Sequence, residues 1–368
     1  MSISEPVPAF SRGTTNGEPD PFPKRWFCVA ASGSGATIKQ DAESPKGFLE
    51  ILKSSSVAWV DFRTDDFDKE AAIAAAQLGF TDQLVTSLTG DSRTTYQDFD
   101  TEMGLRLPSV QVRFLDVMVY PLLILMKKNF IFTIHPLNVD RRFNRLRRYS
   151  DTVLRKIPVG ASPQDKLTML LTRIVDENNE RNFEHLREIE ERGDELNEFL
   201  IDPSAMREKL GSQIYGMKHA LLVYLDALWD TVNVVHALRY GDAELITDDS
   251  VLLERIGVLG GEVNTQIGLA EHMSDVLASG LEVLQSIYNN QLQSLNNRLA
   301  LVMTYLTIIG TAVLVPNTLA TIFGNSAFAM EADDRGWYIT VLIASTVVST
   351  VLAWAWAKRS GWIPKKMD

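Results

Sequence analysis

Cysteine is nearly absent: 368 residues hold one, Cys28. A single thiol excludes an intrachain disulfide and any zinc centre built on cysteines, and it suits a reducing compartment. The five histidines (His135, His185, His219, His236, His272) make no His-x-x-x-His or His-Glu-x-x-His pair, and no serine lies in a Gly-x-Ser-x-Gly turn. No enzyme chemistry is therefore legible. Basic charge is short as well, with 36 Lys+Arg against 47 Asp+Glu and a net charge of −11. That balance excludes a general nucleic-acid binder, which needs a basic surface. The opening MSISEPVPAFSRGTTNG lacks the basic start and apolar run of a signal peptide, so none is expected.

The most informative absence is of charge near the C-terminus. Leu301–Phe323 carries no charged side chain, nor does Trp337–Ala357. At about 1.5 Å per residue each run is long enough to cross a hydrocarbon core of roughly 30 Å. The short polar segment between them contains Glu331, Asp333, Asp334 and Arg335. Two crossings joined by an acidic loop form a hairpin, which puts both chain ends on one side. Lys358, Arg359, Lys365 and Lys366 after the second run argue that this side is the cytosol. The expected location is the cell (inner or plasma) membrane.

The first run is patterned. Met303, Gly310, Asn317 and Gly324 recur every seven residues, with Thr307, Leu314 and Thr321 on the adjoining line. A stripe of small and polar residues at this spacing marks a helix-packing or pore-lining face. The second run is richer in Val, Leu and Ile, with Trp337 and Tyr338 at one end and Trp354 and Trp356 at the other, a lipid-facing pattern with aromatic belts. A hairpin that only anchors or oligomerises a scaffold is the competing reading of the stripe.

LTIIGT at 306–311, Pro316, and IFGN at 322–325 ahead of an acidic loop and a second helix resemble the CorA family of divalent-cation transporters. The family's first membrane helix contains LTIIA, a proline and a Tyr-Gly-Met-Asn ending. The resemblance extends upstream through SVAWVDFR (56–63), FIFTIHP (130–136) and RRFNRLRR (141–148). A gapless alignment puts Gly324 on the family glycine, Asn325 on its Met and Ser326 on its Asn; alternatively the Met is deleted and Asn325 is the family Asn. Ala300 replaces an Asn usual in the family. The resemblance implies an α+β membrane protein: an N-terminal α/β cytosolic domain, a long helical stalk and two C-terminal transmembrane helices, assembled as a homopentamer in lipid.

What the resemblance implies for function is passive, potential-driven influx of hydrated divalent cations, most of all Mg2+, with Co2+ and Ni2+ also carried. A zinc-selective or exporting relative is the alternative. The pore face would comprise Met303, Leu306, Thr307, Gly310, Leu314, Asn317 and Thr321. The outer mouth would be Gly324, Asn325 and Ser326, and Glu331, Asp333 and Asp334 would capture cations. No cofactor is expected beyond a transported or regulatory divalent cation. In the family such regulation uses carboxylates shared between subunits; the matching places here hold Val85-Thr86-Ser87 and Thr265, which leaves Asp91, Glu262 and Asp275 as nearby candidates.

The rest of the chain divides as follows. Residues 1–24, rich in Ser, Pro, Gly, Thr and Asn, are expected to be a disordered arm. Residues 25–160 form an α/β domain, with strands at 25–31 and 56–63, a helix over 66–80 ending at Gly79, and two or three strands within 109–136 broken at Pro121 and at 127–129. The glycines of ASGSGAT (31–37) fit a turn rather than a phosphate loop, since no Lys-Ser/Thr follows. The arginine-rich 140–156 is expected to be a solvated helix or turn. Residues 161–300 are helical. Apolar spacings of three, four and seven predict one amphipathic helix over 166–201 with an acidic solvated face. A second helix is expected over 204–241. A third runs from about Ser250, without proline until Pro316, directly into the membrane run, although Gly257, Gly260, Gly261, Gly268 and Gly280 could interrupt it. The boundaries that follow are 301–325 for the first membrane helix, 326–336 for the outer loop, 337–357 for the second helix and 358–368 for a basic cytosolic tail.

Overall fold

A computed structural model describes residues 24–90, 94–113, 116–201, 207–325 and 332–359. Residues up to Leu281 form one compact unit, and those from Glu282 onward form a second.

The first unit is built on a seven-stranded sheet. Its strands are β1 (Trp26–Ser32), β2 (Thr37–Ala42), β3 (Ser55–Thr64), β4 (Tyr96–Asp98), β5 (Glu102–Arg113), β6 (Asp116–Lys127) and β7 (Phe130–Pro136). Their order is β2-β1-β3-β7-β6-β5-β4, antiparallel except where β3 runs parallel to β7. The stretch 31–37 is the β1–β2 hairpin turn, in which Gly35 takes a φ of 84°.

Pro121 does not break a strand. It stands opposite Pro108 in the β5–β6 ladder, beyond the Leu123–Lys127 segment that pairs with β7. Two facing prolines can share only a non-hydrogen-bonded position, where neither N–H is needed.

Alternate side chains of β1, β3, β6 and β7 enter two separate cores. Phe27, Val29, Trp59, Leu122 and Ile124 point to one face of the sheet, and Trp26, Cys28, Val60, Phe62, Leu123 and Leu125 to the other. Both faces are covered, which explains why these strands read as unbroken apolar runs. The second face is covered by α1 (Leu49–Ser54), α2 (Phe67–Gln77) and α3 (Asp82–Thr89). Burial pushes the Cys28 thiol up to about 12, so it is inert.

The first face is covered by α4 (Asp140–Arg155), α5 (Pro163–Asn179), α7 (Arg207–Tyr240) and the start of α8 (Ser250–Phe323). Leu167, Leu171, Val235 and Ile256 share one core with Phe27 and Trp59. The boundary expected at 160/161 is therefore not a domain boundary: sheet and helices bury the same apolar surface.

Three further expectations are corrected. The arginine-rich segment is a helix solvated on one side only: Arg145 and Arg148 are exposed, but Arg142 and Arg147 are buried. Nor is 166–201 one helix. Arg142 donates to the Asn178 carbonyl at 2.6 Å, taking the acceptor a continuing helix would use, and α6 (Asn182–Ile201) starts after a two-residue turn. Tyr224 donates to the Asn182 carbonyl at 3.0 Å and fixes that start. Finally, Glu177 leaves the acidic solvated face: it is buried between Arg145 and Arg173, at 2.9 Å from each, and burial raises its pKa despite both cations.

Three upstream motifs meet in one buried cluster. Arg147 Nε donates to Asp61 Oδ2 at 2.6 Å, with a second contact from the same guanidinium at 2.5 Å. Asp61 also accepts from the Thr133 hydroxyl, and His135 Nε2 lies 3.3 Å from its Oδ1. Trp59 Nε1 donates to Thr133 Oγ1 at 2.9 Å, and the His135 ring stacks on Phe143 at 4.3 Å. Burial would raise the Asp61 pKa, but Arg147 and then His135 and Thr133 outweigh it and hold the carboxyl well below its usual range.

Asp61→Asn leaves Arg147 buried without its counter-charge and is expected to cost about 3–5 kcal/mol. Chemical denaturation of the full chain in detergent checks this. The folded-state pKa is depressed, so the stabilisation is complete above the unfolded value of about 4 and is lost as pH falls through the folded value. The acid limb of stability against pH should be shallower in the Asn variant.

The glycines of α8 do not interrupt it. A Cβ at Gly257 would collide with the Arg239 guanidinium, and one at Gly260 would lie 3.2 Å from Val235 Cγ1. Both are places where α8 and α7 approach closely, and α8 is a single helix from Ser250 to Phe323.

Candidate functional site

Among the described residues, three helices are long and apolar enough to span a membrane: Gly211–Tyr240, Ser250–Phe323 and α9 (Arg335–Arg359). Half of the apolar window in the first is buried, so its composition is explained by packing on β5 and β6. Only 6% of the corresponding window is buried in the other two. Leu306, Ile309 and Leu314 of α8 are 60–65% exposed, and so are Ile343 and Leu352 of α9, at 61–63%. An apolar surface of this extent calls for lipid or partner chains around it.

Within the second unit, α9 lies along one face of the C-terminal part of α8. Ala312 is buried there, and Ser349 Oγ donates to its carbonyl at 2.7 Å. Ile308, Thr311 and Val315 of α8 and Leu352, Ala353 and Trp356 of α9 line the groove between them. Beyond the turn, Phe323 meets Trp337 edge-on at 5.8 Å and Tyr338 at 6.2 Å.

At 3.6 residues per turn, Met303, Leu306, Gly310, Leu314, Asn317 and Thr321 lie roughly 120–200° round the helix from Ala312. The expected pore face is thus turned away from α9. Met303, Leu306 and Leu314 are 60–66% exposed, Asn317 and Thr321 are exposed, and a Cβ built on Gly310 meets nothing within 4 Å. Thr307 sits at the margin of this face and also lines the groove against α9.

The threonines have a defined polarity. Thr307 and Thr321 donate to the carbonyls of Met303 and Asn317, each at 2.8 Å. With its proton spent inside the helix, each hydroxyl presents only oxygen lone pairs outward, which favours cations.

At the end of α8, Gly324 N–H bonds Ala320 O at 2.8 Å and Asn325 N–H bonds Ile322 O at 3.3 Å. A Cβ on Gly324 would stand 2.8 Å from Ala320 O, so a larger residue displaces this turn. Asp333 and Asp334 fall in the 3-10 turn Ala332–Asp334, and Asp334 Oδ1 accepts from Trp337 Nε1 at 3.1 Å. Ser326, Glu331 and Asp91 lie outside the described residues.

Glu262 and Asp275 are both exposed, thirteen residues apart on α8. That places them about 20 Å apart along the axis, so one chain does not bring them together. Among the described residues no three His, Cys, Asp or Glu side chains cluster in a way that could hold a metal. Two features escaped sequence reasoning. The Asp61–Arg147 pair joins positions 86 apart, and the Ser349–Ala312 bond had one signal, Pro316, whose missing N–H leaves a carbonyl one turn earlier in want of a donor.

Comparison with known proteins follows the same lines. The complete structure of the CorA magnesium transporter from Methanocaldococcus jannaschii superposes with a TM-score of 0.65 at 19% identity, over 92% of this chain and 98% of that one. The soluble domain of the same transporter gives 0.55 at 18% identity, over 71% and 96%. The full-length CmaX protein gives 0.59 at 14% identity, over 94% and 99%. At these identities the likeness is one of fold. A comparison with curated protein sequences finds no match. The sequence model described as CorA-like Mg2+ transporter protein matches residues 54–359. The chain therefore belongs to the CorA-like family of divalent-cation transporters.

Proposed function

We propose that this protein is a homopentameric channel for passive, potential-driven influx of hydrated divalent cations, with Mg2+ as the principal ion and Co2+ and Ni2+ also carried. The observation that supports it most is the face of α8 turned away from α9, where small residues and outward-facing oxygens alternate with exposed apolar side chains. A ring of chains, each contributing α8 to the axis and α9 to lipid, gives that face a use and closes the assembly.

In this reading residues 301–325 and 337–357 cross the membrane, and 326–336 lies outside. The remainder, including Lys358 and Arg359 at the end of α9, is cytosolic. Mg2+ dehydrates reluctantly, so the pore binds the hydrated ion through oxygen dipoles at Asn325, Thr321 and Asn317. Met303, Leu306 and Leu314 close it by dewetting. Glu331, Asp333 and Asp334 concentrate cations at the mouth, and Asp91, Glu262 and Asp275 are candidates for regulation between subunits. A divalent ion moving inward gains about 4.6 kcal/mol per 100 mV, twice the single-charge value, so no nucleotide is needed.

Uptake by the purified protein in liposomes, compared across Mg2+, Co2+, Ni2+ and Zn2+, tests the reading. Mg2+ should enter, with Co2+ and Ni2+ competing. Preferential Zn2+ flux would transfer the protein to a zinc-selective role, and absence of flux from assembled protein would leave a scaffold.

A further inference from the structure

We propose that Ser349 of α9 is a positioning residue for conduction, its hydroxyl replacing the backbone donor that Pro316 removes from α8. The inference rests on the reading of α8 as the conducting helix. Pro316 lies inside α8 and has no N–H, so the Ala312 carbonyl has no partner one turn on. Ala312 is 4% exposed and faces α9, out of reach of solvent. Ser349 Oγ lies 2.7 Å from that carbonyl, against 3.1 Å to Thr346 O in its own helix.

This arrangement departs from its neighbours. Thr307, Thr311 and Thr318 of α8, and Thr346 and Thr350 of α9, each donate back within their own helix. Ser349 donates across. In hydrocarbon no water can take its place, so a buried carbonyl must be satisfied by protein.

The position of the bond gives it a role. Ala312 lies two residues after Gly310, and Pro316 immediately precedes Asn317. A tie from α9 to the Ala312 carbonyl fixes how α8 is rotated at this level. It thereby holds Gly310 and Asn317, roughly 140–160° round the helix, toward the axis.

Pro316→Ala supplies an N–H at 316 and makes the serine redundant, which provides the test. Four full-length proteins are compared: wild type, Ser349→Ala, Pro316→Ala and the double variant, with Ser349→Thr as the hydroxyl-retaining control. Thermal unfolding in detergent and Mg2+ flux in liposomes are both measured. Ser349→Ala should lower the melting temperature by a few degrees and reduce flux several-fold without changing the oligomer, and Ser349→Thr should largely restore both. In the Pro316→Ala background Ser349→Ala should change neither. Equal cost of Ser349→Ala in both backgrounds, or no cost beside Pro316, overturns the inference. The unfolding cycle decides this even if the wild type conducts no ion, an outcome that would instead refute the channel reading.

Discussion

Gly310→Leu is expected to abolish divalent-cation flux while leaving the oligomer assembled. Gly310 lies on the face of α8 away from α9, with open space where a side chain would begin. In a ring, every copy would add an isobutyl group at one level of a narrow axis. An added barrier of only about 2.7 kcal/mol slows passage about a hundredfold. Val341→Leu on α9, where Val341 is already 37% exposed, adds a methylene toward lipid and should be nearly silent. Flux and native mass measured together check this. Equal loss at both positions would mean that α8 does not line the path.

Asn325→Ala should eliminate Mg2+ selectivity, either by stopping Mg2+ uptake or by admitting monovalent ions. Asn325 follows the turn that Gly324 makes possible at the end of α8 and supplies a carboxamide oxygen there. Carboxamide and hydroxyl oxygens are hard donors that bind water held by the ion, and they do not favour thiophilic metals. Asp333→Asn with Asp334→Asn should act differently. In the proposed reading these carboxylates would raise local cation concentration, so their removal should weaken uptake mainly at low ionic strength. Asn325→Ala protein that carries Mg2+ normally would move selectivity inward, to Asn317.

The local features were those most legible in the sequence. Phe27 and Cys28 enter opposite cores because successive strand residues face opposite sides, and both are apolar because both faces are covered. The two C-terminal apolar helices were legible from missing charge, and the grouping of Met303, Gly310 and Asn317 on one side of α8 from the seven-residue repeat, since each depends on one helix alone. Non-local pairing was hidden. Five arginines within eight residues look solvated until Asp61, 86 positions earlier, is seen to neutralise Arg147. The turn between α5 and α6 was invisible because its cause, Arg142 on Asn178 O, comes from another element. Pro316 announced an unfilled carbonyl, but only the packing of α9 shows that Ser349 fills it. Glu262 and Asp275 are a related case: thirteen residues apart on α8, they would meet a shared ion only across chains, a pairing one sequence does not display.

The most direct test of the central claim is Mg2+ entry into liposomes containing the purified full-length protein, without nucleotide, at a series of imposed membrane potentials. An inside-negative potential should drive Mg2+ inward to a concentration above that outside, and this excess should vanish when the potential is dissipated. At equilibrium, accumulation should change about tenfold for each 30 mV, as two charges crossing together require. Assembled protein that admits no Mg2+, or admits it with no dependence on potential, would contradict a passive divalent-cation channel.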